Sequence, residues 1–290
     1  MRFADRRTRL RIGSRRWFLE DIKFRVPKGA RYAAVMCILG MNGTAWFDSV
    51  SFTVPRPLPW ETAETKNYVF HWLPEKPLPP QAMQTQQRLF DEVCSRLGIH
   101  SPVRIQYYFY PDSATIRRQL GLKGAMYVSW TDRELHTVDP IDRHEFIHFI
   151  TDPYGQPPRA MAEGLVYYLS DNFAGYPVDK IAAYRLHYGQ LVPLSQLINY
   201  GEFVRLDRSL TIPVAASLTG FLIRRFGTEK YLELLGRING VNSWEPFASA
   251  IEAVYGMSMV DIEGAWKAYL RGIDFSELPK PGNVQSSDKP

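Results

Sequence analysis

An α+β fold is predicted for this 290-residue chain from three features of its text. Short segments of strand character recur as far as residue 138, a helical pattern carrying two histidines follows Pro140, and the last third repeats helical periodicity punctuated by glycines. With 45% hydrophobic residues, the chain can bury an ordinary core as one large domain or two modest ones.

The first strands fall between Trp17 and Val54. "RYAAVMCIL" is an apolar run after the turn signal Pro27-Lys28-Gly29, and "TAWFDSVSFTV" alternates Trp46, Val50, Phe52 and Val54 against Ser49, Ser51 and Thr53. "GMNGT" supplies a glycine turn between them. The proline-rich "PRPLPWETAETK" then reads as a boundary. The expected organisation is a β segment at 1–56, a linker at 57–66, a main domain at 67–273 and a disordered polar tail at 274–290.

Within the main domain, residues 80–97 place Leu89, Phe90, Val93 and Leu97 on one helical stripe closed by Gly98. "VRIQYYFY" alternates as a strand, and "AMYVSW" and "ELHTV" are two more around a turn at Thr131-Asp132-Arg133. The histidine helix follows. Further helices are expected at 214–226, 228–237, 243–255 and 258–271, the last opened by Ser258 with Asp261 three residues on and followed by Gly272.

Charge and composition remove several function classes. Residues 1–31 hold eleven Arg or Lys against Asp5, Glu20 and Asp21, whereas the whole chain carries +5. The aromatics there do not interleave with the basic side chains as a stacking platform requires, so nucleic-acid binding is not expected. No run approaches the roughly 20 apolar residues of a membrane span, and the N-terminus lacks the apolar segment of a secretory signal. As written the chain reads as soluble and cytoplasmic, or extracytoplasmic if this N-terminus is truncated. Cys37 and Cys94 read as free buried thiols, and neither belongs to a Cys-x-x-Cys pair that would bind metal.

The chemistry is concentrated in His144-Glu145-Phe146-Ile147-His148. On a helix, positions i and i+4 lie on one face, so both imidazoles can reach one ion. Catalytic zinc takes three protein ligands and leaves a position for water. Glu145 lies about 100° round the helix from His144, a direction that suits a base beside that water. The bland alternative is a pair of histidines hydrogen-bonded in a packed core, since Ile147, Phe149 and Ile150 mark a buried helix. Fifteen residues beyond His148, "PPRAMAEGLVYYL" puts Glu163 in a helix that is otherwise apolar. A buried carboxylate there is costly unless an ion, or an arginine such as Arg159, compensates it.

On these residues the chain resembles the gluzincins of the peptidase MA-like superfamily, zinc hydrolases with two histidines and a distal glutamate. "YVFHWLPEKPLP", "VRIQYYFY", "ELHTVDPIDRHEFIHFI" and "RRFGTEKYLELL" with "AVYGMSMVDIEGAWKAYL" agree, so the resemblance covers roughly residues 66–272. It implies a zincin-like domain, a mixed sheet plus active-site helix and then a helical subdomain, with zinc and substrate in a cleft between the two parts. It assigns Zn2+ to His144, His148 and Glu163, and the general base to Glu145. The implied activity is hydrolysis of peptide or protein substrates. Residues 17–54 in turn resemble the closing strands of carbohydrate-binding-type β-sandwich modules. Because such a sandwich needs seven or more strands, the chain is expected to be the C-terminal part of a longer architecture.

Two departures from the gluzincin pattern bear on catalysis. The position of a relative's oxyanion-stabilising tyrosine falls near Ile212, which has no donor, and Tyr167 stands where thermolysin-like members carry an aspartate. Tyr167, His136, His187, Tyr188 and Tyr200 are the candidates for the oxyanion role, while His71 and His100 read as structural. The alternative function is a zinc-binding but catalytically weak scaffold, or a carbohydrate-associated binding protein.

Overall fold

The computed structural model describes residues 58–120 and 124–279. The sandwich-like strands expected at 17–54 and Cys37 lie outside the described residues. Two compact units are formed. One holds the sheet (up to Glu64, Tyr68–Pro80 and Gln106–Pro140), the other most of the helices (Thr65–Asn67, Gln81–Ile105 and from Ile141 onward).

Five short strands make the sheet: β1 (Glu61–Glu64), β2 (Tyr68–Trp72), β3 (Ile105–Phe109), β4 (Met126–Ser129) and β5 (Glu134–Thr137), in the order β1-β2-β3-β5-β4. β3 and β5 run parallel with Tyr107 opposite Leu135, whereas β4 and β5 form an antiparallel hairpin with Met126 opposite Thr137. The predicted turn between them is present, and Arg133 in it takes the left-handed φ of 54°. β1 pairs antiparallel with β2 inside the stretch expected to be a linker.

Alternation gives the sheet two characters. Tyr68, Phe70, Tyr107, Phe109 and Leu135 are buried on one face. On the other, the rings of His71 and Tyr108 stack at 4.2 Å and those of Tyr108 and His136 at 4.5 Å, with Trp60 edge-on to Tyr108 at 5.2 Å. His71 Nε2 bonds Gln106 Oε1 at 2.8 Å. His136 is buried between the Tyr110 hydroxyl, 3.0 Å from Nδ1, and Glu134 Oε2, 3.0 Å from Nε2. His71 is thus stacked and hydrogen-bonded within the sheet unit.

Eleven α-helices are present among the described residues: α1 (Pro80–Leu97), α2 (Ser113–Leu120), α3 (Glu145–Thr151), α4 (Arg159–Ser170), α5 (Val178–His187), α6 (Leu194–Ile198), α7 (Tyr200–Phe203), α8 (Arg208–Phe226), α9 (Thr228–Arg237), α10 (Trp244–Tyr255) and α11 (Met259–Arg271). The architecture is α+β, with the mixed sheet, the histidine helix and then a helical array in the order expected of a zincin-like fold. α8 is longer than predicted. It starts at Arg208 behind Asp207, whose side chain accepts from the Ser209 amide at 2.7 Å, and it carries Pro213 inside.

α8 is the axis of the helical unit, buried on every side from Thr211 to Ile223. Its polar groups are paired: Ser217 donates to Asp179 on α5 at 2.7 Å and accepts from Trp266 of α11 at 3.1 Å. α4 lies tight against it. A Cβ on Gly164 would meet the Ala215 carbonyl oxygen at 2.8 Å, so only glycine allows this approach. Past α11, Phe275 packs on Tyr184 and His187, and Lys180 pairs with Glu277 at 2.7 Å, so the first residues of the expected tail are held. Cys94 is a free thiol, half-buried on α1. No described helix is long and apolar enough to cross a membrane.

Candidate metal centre

α3 is started by Asp142. Its carboxylate is buried and accepts from the amides of His144 and Glu145 at 3.0 Å each and of Phe146 at 2.8 Å, three of the donors a helix start leaves unpaired. Gln86 on α1 fixes Asp142 in turn, accepting its amide at 2.9 Å. One detail differs from the expectation. The helix proper begins at Glu145, and His144 is its cap residue, with φ −127° and ψ −64°. The two histidines thus straddle the helix start instead of sharing a full turn.

Their side chains nevertheless converge, with Nε2 of His148 lying 3.3 Å from Nε2 of His144. Two nitrogens bound to one tetrahedral zinc at about 2.0–2.1 Å would be separated by about 3.3–3.4 Å, so the observed spacing fits such an ion. Glu145 Oε1 lies 4.0 Å from His144 Nε2, and His144, Glu145 and His148 each bring a ligand atom within 4.8 Å of the others'.

Glu163 comes from α4. Its Oε2 is 3.5 Å from His144 Nε2. Glu163 is buried, and this oxygen has no hydrogen-bond partner. Arg159 Nε stands 3.7 Å from the other oxygen, so the arginine pairing weighed from sequence is also present. A second cation was not foreseen: Arg208 at the start of α8 brings Nη2 to 3.5 Å from Glu163 Oε2 and to 3.5 Å from the Tyr167 hydroxyl. Tyr167 sits edge-on to the His144 ring at 5.6 Å.

Burial dominates the electrostatics. It pushes His144 down, and His148 down to about 3 with the neighbouring His144 contributing, so both imidazoles are neutral and present lone pairs. Burial, then Asp142 and Glu163, push Glu145 up to about 7, while Arg159 and Arg208 pull it back. Asp142 is raised by burial against its three amide bonds. The His144 and His148 nitrogens at tetrahedral spacing, with Glu145 in the same cluster, can hold a metal ion, and Glu163, outside that cluster, brings a buried oxygen without a hydrogen bond to 3.5 Å from His144.

The other sequence candidates are engaged elsewhere. His136 belongs to the sheet unit. His187 contacts Tyr188 and Phe275, while Tyr188 and Tyr200 are exposed. Of the five oxyanion candidates, Tyr167 is the one in ring contact with a site histidine. Ile212 is buried. Asp142 was missed although Asp142-x-x-Glu145 before an apolar run is a helix-start signature. Arg208 had no comparable signal, being 45 residues from Glu163.

Among solved structures, the chain is similar to an M1 zinc metallopeptidase from Deinococcus radiodurans, crystallised as a point mutant, with 14% sequence identity and a TM-score of 0.45. The similarity covers 74% of this chain and 52% of that one, so the chain spans about half the length of that enzyme. No family model and no curated protein matches the chain.

Proposed function

We propose that this chain is a zinc-dependent hydrolase of peptide bonds, its catalytic part lying within residues 67–273. His144, His148 and Glu163 hold the ion and Glu145 is the general base. The observation that carries this reading is the 3.3 Å approach of the two Nε2 atoms beside a buried glutamate oxygen that lacks a hydrogen bond. Zinc bound there supplies a Lewis acid for the scissile carbonyl and lowers the pKa of water toward about 7.

Glu145 then takes a proton from the water that attacks the carbonyl carbon. The new C–O bond forms as an electron pair moves onto the carbonyl oxygen. Return of that pair expels the amine, and the proton held by Glu145 passes to the leaving nitrogen as the C–N bond breaks. Asp142 and Gln86 position the His144 and Glu145 backbone for this work.

The test pairs zinc analysis with a peptide-library digest. One zinc per chain and cleavage are expected. Glu145→Gln should lower hydrolysis by at least about 100-fold with zinc retained, because an amide cannot accept the proton. Full activity in that variant overturns the mechanism. Zinc without any cleavage would support the binding-scaffold reading, which the buried, donor-free Ile212 favours.

A further inference from the structure

Arg159 and Arg208 reach the site from two different helices and converge on one carboxylate, yet neither makes a hydrogen-bond-length contact with it, at 3.7 and 3.5 Å. Their side chains are 46% and 58% exposed. Arg208 adds only a 3.5 Å approach to the Tyr167 hydroxyl. Strong arginine–carboxylate pairs are short and frequently forked. These two instead present open donor edges beside the histidine pair.

The charge balance points the same way, and this step rests on the function proposed above. With a dication bound, the positive charge of the ion and two guanidiniums exceeds the negative charge of Glu145, Glu163 and Asp142. As a ligand, Glu163 would share its charge with the ion and leave the two guanidiniums less fully compensated. The site then attracts an anion and holds two planar donor groups to receive it.

We infer that Arg159 and Arg208 form a carboxylate-recognition subsite, so that the substrate is a peptide carrying a carboxylate near the bond that is cut. That carboxylate is either a free C-terminus or the side chain of an aspartate or glutamate.

The test uses zinc-loaded Glu145→Gln protein, so that binding is read without turnover, and three acetylated tripeptides of otherwise identical apolar sequence. One ends in a free carboxylate, one is its amide, and one is the amide with a central aspartate. At low salt, at least one carboxylate peptide should bind about five- to tenfold more tightly than the neutral amide, as expected for charge-assisted bonds at a half-exposed site. The peptide preferred identifies the source of the carboxylate.

High salt should weaken the preference. Adding Arg159→Gln and Arg208→Gln together should erase it while zinc content stays at one per chain. Arg208→Gln alone, at a side chain more than half exposed, serves the same purpose should the double variant lose its fold. Equal binding of all three peptides overturns the inference, as does a preference that survives both arginine changes. Wild-type protein digested in parallel separates the two claims. Cleavage without a carboxylate preference defeats the subsite alone, whereas an arginine-dependent preference with no cleavage of any peptide defeats the hydrolase reading and leaves the subsite standing.

Discussion

In the sheet unit, His71 and His136 each lie flat against Tyr108, at 4.2 and 4.5 Å, with ring nitrogens bonded to Gln106, Tyr110 and Glu134. In the helical unit, His144 and His148 meet at 63° and turn their Nε2 atoms toward each other. The difference lies in where the lone pairs go. These stacked imidazoles use their faces for packing, and His136 uses both its nitrogens for hydrogen bonds. A pair held at a steep angle, with its Nε2 atoms 3.3 Å apart and a buried carboxylate oxygen of Glu163 nearby, turns its nitrogens to one point. Residue type alone does not separate the two uses; geometry does.

The contrast can be broken at the metal first, where the largest effect is expected. Zinc at about a thousand times its Kd should stabilise the parent protein by about 4 kcal/mol. His148→Ala and Glu163→Ala should lose most of that gain, and the measurement is denaturant unfolding with and without zinc. Full zinc occupancy in Glu163→Ala would mean that the third ligand is misassigned.

His136→Ala should do the reverse. Removing a buried ring and its two hydrogen bonds should cost about 2–4 kcal/mol, while the folded fraction keeps its zinc. A zinc loss there equal to that of His148→Ala would collapse the distinction between the pairs. Gly164→Ala should cost about 1–3 kcal/mol through overpacking, since the obstacle is the backbone of Ala215. Its zinc affinity should fall as well, because the neighbouring residue is Glu163.

The smallest effect concerns an exposed carboxylate in the sheet unit. Asp112 accepts the Thr115 amide at 2.7 Å, and that bond holds its pKa below the usual value. The folded state therefore binds fewer protons than the unfolded one in this range. The stability Asp112 contributes is present above pH about 4 and is lost as pH falls through the folded value. Asp112→Asn should flatten the acid limb of the stability profile slightly, and an unchanged limb would show that this cap contributes nothing.

Much of this arrangement was legible in the text. The hairpin of β4 and β5 showed as two alternating segments around a polar turn, and α11 showed through Ser258, whose hydroxyl does accept the Asp261 amide at 3.2 Å. The cluster of His144, Glu145 and His148 was readable because spacing on or next to a helix constrains where side chains can meet, whereas Glu163 was suggested by a carboxylate in an apolar helix and by the resemblance. α5 was not, since what it buries is largely small or part-polar (Val178, Ala182, Ala183 and Tyr184) and leaves a weak stripe. α6 and α7, of five and four residues, are too short to show a period. The first turns of α8 were hidden by Pro213, which normally marks a boundary, and by burial on all sides that removes any polar face. Arg208 belongs to the site only because α8 packs against α4, a long-range fact no local pattern carries.

The position of His144 at the cap of α3 has a dynamic consequence. Its amide is held by the Asp142 clamp, and its carbonyl accepts from the Ile147 amide at 3.1 Å, so opening only the first turn would separate the two imidazoles. An ion bridging His144 and His148 would staple that turn shut. The amide protons of residues 144–146 would then exchange with solvent more slowly when the ion is present, while those deeper in α3 would change little. Three backbone hydrogens thus become a built-in gauge of occupancy, readable without any substrate.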